Sequence, residues 1–153
     1  MTARAEDVTE LRRRLFIGAA WFLAAAVGCG SGPTEPVPAP GRYLLATLNE
    51  AALPYDHEGL GCCTYLSGEL VLERSKYTAS ITARNRNTGL VFTASEWGAW
   101  TAQGLELSFA PEGYAVAPLG LDAGVAGGGE IRLTFGGEGP GSPDQFRARF
   151  ALP

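Results

Sequence analysis

Histidine, lysine and methionine each occur once in 153 residues, and only 18% of the chain is charged. So few imidazole and amine groups leave the common acid/base and metal chemistries with little to work with. The formal charge is −4, with no basic cluster to neutralise phosphates, which argues against nucleic acid as a partner. The sequence contains no Gly-x-Ser-x-Gly elbow, no His-Glu-x-x-His pair and no P-loop lysine, so hydrolysis by a nucleophile or a metal has no support. Helical periodicity and internal repeats are also missing. What remains is a 46% apolar chain of single-domain size, read as a non-catalytic module without a cofactor.

The first 28 residues read as an address. Arg12, Arg13 and Arg14 precede an apolar run of 14 residues, Leu15 to Gly28. That run is short of the ~20 residues of a membrane-spanning helix, so a cleaved signal peptide is favoured over a permanent span. Ala26-Val27-Gly28-Cys29 resembles the lipobox of bacterial lipoproteins. The resemblance implies that the Cys29 thiol is acylated with diacylglycerol and becomes the first mature residue, anchoring the chain to a membrane. Gly30 rather than Asp follows it, which under the usual sorting pattern directs the protein to the outer membrane, facing the periplasm. Arg13-Arg14-Leu15-Phe16-Ile17 is similar to the twin-arginine export motif, with Sec export as the alternative. Residues 1–28 hold four arginines and three acids, so the other 125 carry eight basic and thirteen acidic groups, net −5.

Residues 29–40 form the lipidated cysteine and a tether. Gly30 to Pro40 has four prolines in eleven residues and no means of packing a core. Extended as polyproline II at about 3.1 Å per residue, it lifts the domain on the order of 30 Å from the lipid.

From Gly41 to Pro153 the hydrophobic period is two. Tyr77, Ala79, Ile81 and Ala83 alternate with Thr78, Ser80 and Thr82. The pattern recurs around Leu70 and Leu72, Leu105 to Phe109, Ile131 to Phe135 and Phe146 to Leu152, with further strands at Tyr43 to Leu48, Leu90 to Ser95 and Trp97 to Ala102. Gln103-Gly104, Asn87-Thr88-Gly89 and the stretch Gly136 to Asp144 supply turn chemistry. About eight short strands predict an all-β, antiparallel meander that closes into a barrel, with a sandwich as the alternative. Strands of six or seven residues are short for a transmembrane barrel, which needs about 9–11.

Gly41-Arg42-Tyr43, Asn49 and Leu53-Pro54, followed by the meander, resemble small bacterial lipoproteins with a lipocalin-like barrel. The resemblance implies a small apolar ligand held in the barrel.

Few residues suggest chemistry. Asp56, His57, Glu58, Cys62 and Cys63 fall within eight positions, but tetrahedral sites draw on two spaced pairs, so an exposed loop is favoured over a metal site. Cys62 and Cys63 are adjacent, with Cα atoms ~3.8 Å apart, below the usual disulfide range. Two unbridged thiols are favoured over a vicinal bridge, and metal binding or intermolecular pairing is a third option. Gly137-Glu138-Gly139-Pro140-Gly141 reads as a hairpin loop, since no helix follows to supply a dipole. Trp97 and Trp100 point to opposite faces of a strand unless Gly98 forms a bulge. A tryptophan at the rim is a candidate ligand mouth. The arginines Arg132, Arg147 and Arg149 with Glu130 read as a solvated face with cross-strand ion pairs.

About fifteen large side chains are expected to point inward, among them Tyr43 or Leu44, Leu70, Leu72, Tyr77, Ile81, Phe92, Leu105, Leu107, Phe109, Phe135, Phe150 and Leu152. An eight-stranded barrel is just wide enough for side chains to fill. The sequence therefore predicts a packed core and a structural or interaction role with an envelope protein or the cell wall. The alternative is a binding module for a small apolar ligand.

Overall fold

A computed structural model describes residues 38–56, 62–136 and 145–153. The signal segment, Cys29 and most of the tether lie outside them, as do His57, Glu58 and the glycines of the 137–141 loop. The ten strands are β1 (Gly41–Leu48), β2 (Ala51–Ala52), β3 (Tyr55–Asp56), β4 (Cys63–Leu72), β5 (Lys76–Asn85), β6 (Val91–Gln103), β7 (Glu106–Ala115), β8 (Ala123–Gly127), β9 (Glu130–Phe135) and β10 (Phe146–Ala151). Eight of them close a ring in the order β1-β4-β5-β6-β7-β8-β9-β10, with β10 returning to β1 and every pairing antiparallel. The two-residue strands β2 and β3 extend β1 and β4 at one end. The barrel is closed, so the sandwich does not form, and no helix occurs among the described residues.

Alternation decides the faces. On β5, Tyr77, Ala79, Ile81 and Ala83 are buried. On other wall strands Leu70, Leu72, Leu107, Phe109, Ile131, Leu133, Phe135, Phe146 and Phe150 face the same interior. The outside carries charge and hydroxyls: Arg42 bonds Glu69, Lys76 pairs with Glu112, and the Thr82 and Thr93 hydroxyls meet across β5 and β6. An apolar inside and a charged outside are the reverse of a transmembrane barrel. Strand registers slip by one residue in β1 after Leu45, in β4 after Tyr65 and in β7 opposite Trp97 and Gly98. Such bulges add the coiling that barrel closure requires.

Two expected strands are one. Leu90 to Ser95 and Trp97 to Ala102 fuse into the thirteen-residue β6, because Glu96 between them points into the barrel and is satisfied there. The eighth wall strand is instead β8, Ala-Gly-Val-Ala-Gly, which has little side chain to show a period. Its slightness is structural: a Cβ on Gly124 would lie 2.9 Å from the Arg132 carbonyl oxygen and 3.1 Å from the Leu133 Cβ. The β8–β9 hairpin turns on Gly128 and Gly129, both at positive φ, the geometry of a type I′ turn. The β6–β7 turn is Gly104-Leu105, one position beyond the expected pair, since Gln103 opposes Glu106. The turn expected at Asn87-Thr88-Gly89 joins β5 to β6, where the Asn85 side chain accepts from the Asn87 and Thr88 N–H groups.

The expected core holds with three exceptions. Leu152 lies past β10 and is 52% exposed, while Phe92 near a strand end and Leu105 in a turn are only half-buried. At position 43/44 the inward residue is Tyr43, whose hydroxyl donates to the Ala39 carbonyl.

Candidate functional site

Inside the barrel, Glu96 is 1% exposed. Its Oε1 accepts from the Tyr77 hydroxyl (2.8 Å) and the Leu121 N–H (3.2 Å), and its Oε2 from the N–H groups of Leu119 (3.0 Å) and Gly120 (2.8 Å). Burial, reinforced by the bond to Glu96, pushes the Tyr77 phenol well above its ordinary range, so it stays a donor. The segment held this way closes a gap in the wall. Strand β8 pairs with β7 only at Glu106 to Ser108, and with β9 only as far as Leu133. Beyond those pairs Val116–Asp122 bridges the two strands: the Phe109 N–H donates to the Asp122 carbonyl and the Gly136 N–H to the Leu119 carbonyl. Leu119 and Leu121 enter the core. Nothing in the period of residues 116–122 announces this insertion. The visible signal is the parity of Glu96, which continues the inward series of Ala94 and Trp100.

On the outer wall a groove of about 810 Å³ crosses β1, β10, β9, β8 and β7. Its lining combines the small residues Ala123, Gly124 and Ala148 and the exposed Val125 with Thr47, Ser108, Thr134, the arginines Arg132, Arg147 and Arg149, and the acids Glu50 and Glu106. Arg149 and Arg132 are directly opposed across β10 and β9, and Arg147 opposes Thr134 one rung away on the same face. Glu130 serves both opposed arginines, Arg149 at 2.7 Å and Arg132 at 3.6 Å. Arg147 has Glu50 at 3.8 Å, both side chains being at least 80% exposed. The sequence shows the ion pairs of this face but not the groove, which depends on the small residues of β8.

Trp97 and Trp100 do take opposite faces. The extra residue at the bulge is Glu112 on β7, so the alternation of β6 continues through Gly98. Trp100 is buried and donates its indole N–H to the Glu73 carbonyl. Trp97 lies on the outer wall against Gly113, where a Cβ would come within 2.7 Å of the indole. The two rings lie on opposite sides of the barrel wall.

Cys62 and Cys63 are joined as a vicinal disulfide, where the Cα spacing had favoured two free thiols. Cys63 opens β4 with its side chain buried, whereas exposed Cys62 precedes the strand. The alternation that separates neighbouring side chains does not bind Cys62, and the sulfurs meet. Asp56 is engaged by the Thr64 hydroxyl across β3 and β4. Among the described residues no group of three potential metal ligands gathers.

Comparison with protein-family models, curated proteins and solved structures finds no match for this chain. The closed eight-stranded barrel is therefore the level at which the structure classifies it.

Proposed function

We propose that this protein is a lipid-anchored lipoprotein of the bacterial cell envelope, non-catalytic, whose barrel acts through its outer surface on an envelope protein or the cell wall. The observation that carries the reading is the number of side chains turned inward. Inward side chains from every wall strand, Glu96 and the inserted Leu119 and Leu121 are buried together, a set of the size that fills an eight-stranded barrel. Attachment rests on the Ala26-Val27-Gly28-Cys29 lipobox and the proline-rich tether after it, with the outer membrane, facing the periplasm, as its address. Non-catalytic action agrees with the single histidine and single lysine.

The second reading is a lipocalin-like carrier of a small apolar ligand. Its supporting observation is the closed eight-stranded ring itself, a size that can hold one small ligand; it requires the inserted Leu119 and Leu121 to leave the core.

Anchoring is tested by Cys29→Ala in the native host. The expected result is loss of signal-peptide processing at that bond and of the acylated product. A variant still cleaved at the same bond, and still recovered with membranes as a mature-length chain, overturns the proposal.

A further inference from the structure

The outer groove gathers three arginines on two adjacent strands. The mature chain is net acidic, yet three of its eight basic residues, Arg132, Arg147 and Arg149, stand around one trough on adjacent strands, against two carboxylates of the lining, Glu50 and Glu106. Like charges placed directly opposite across a sheet repel, and here the opposed pair Arg149 and Arg132 shares one carboxylate, Glu130. Arg147 has only the loose 3.8 Å approach of Glu50, with both side chains well solvated. An exposed contact of that kind contributes little and exchanges easily for a better carboxylate. A trough of about 810 Å³ is far larger than a single ion needs.

We propose that this groove is the docking site for an acidic, extended peptide segment of a partner protein, an inference that rests on the surface-acting reading above. Carboxylates of the segment meet Arg147 and Arg132 in the planar, two-pronged geometry that guanidinium favours. The hydroxyls of Thr47, Thr134 and Ser108 are of the right kind for peptide amides. The small residues Ala123 and Gly124 in the lining, beside the exposed Val125, leave room for a backbone to lie close. The described lining contains no aromatic ring, and it is on such rings that sugars stack, so a peptide is favoured over a glycan.

The test uses the full mature, lipid-bearing protein in detergent and a short fluorescent peptide alternating Glu and Ser, with a Gln/Ser peptide as neutral control. Fluorescence anisotropy is expected to show saturable binding of the acidic peptide alone. The double variant Arg132→Ala/Arg147→Ala should weaken it about tenfold, while Arg84→Ala, on β5 outside the groove, leaves it unchanged. Thermal melts of both variants establish that the barrel is intact. No saturable binding, equal loss with Arg84→Ala, or an acidic polysaccharide that binds in the groove more tightly than the peptide would each overturn the proposal. Such a failure is distinct from failure of the surface-acting reading, which is decided by whether the purified protein carries a ligand in its interior.

Discussion

A carboxylate buried among apolar side chains is costly unless its oxygens are saturated with donors. Glu96 meets that condition with one phenol and three consecutive backbone N–H groups. Replacing it by Gln keeps the shape but turns an NH₂ toward groups that themselves donate, leaving buried donors unpaired. We expect Glu96→Gln to lower the unfolding free energy by about 3 kcal/mol, measured by denaturant titration. A loss under about 1 kcal/mol would show that the inserted segment is held by Leu119 and Leu121 alone. The same contact sets a response to alkali. Because the folded Tyr77 phenol has a raised pKa, the unfolded chain releases its proton first, near pH 10, and there stability falls as pH rises. Tyr43, raised by burial, acts in the same direction. Below about pH 9 neither phenol contributes a slope. Between pH 9 and 12 the melting temperature of Tyr77→Phe should decline less steeply than that of the wild type.

At the scale of elements, β8 is the strand on which ring closure is thinnest, since it pairs with β7 over only three residues. Its glycine at position 124 lets it approach β9 closely. Gly124→Val adds a branched side chain against the Arg132 carbonyl and Leu133, and should cost about 2 kcal/mol by overpacking. Calorimetry of that variant beside Gly127→Val, where nothing lies within 4 Å of a Cβ, checks the argument, because the second should cost clearly less. The same strand shows where sequence reading stops. Strands such as β5 and β9 were legible because large apolar residues alternate with polar ones. Strand β8 was not, because alanine and glycine carry no such contrast. The continuity of β6 was hidden by Glu96, which reads as a polar interruption until its partners 23 to 25 residues away are known. The opposite fates of Trp97 and Trp100 followed from spacing alone, whereas the groove required the cross-strand register of β7 to β10.

For the whole molecule, closure of the sheet removes the free edges that would invite aggregation, and the interior is occupied by the chain's own residues. Those two features are what the proposed surface-acting role rests on. The alternative makes a contrary demand, that Leu119 and Leu121 leave the core so that a guest can enter. Native mass spectrometry of the mature protein, purified untagged from its own host, decides between them most directly. The account predicts one mass, that of the chain with its lipid, and no stoichiometric companion. A small apolar molecule carried one per chain, and lost when Leu119 and Leu121 are each replaced by Trp to block the interior, would contradict it.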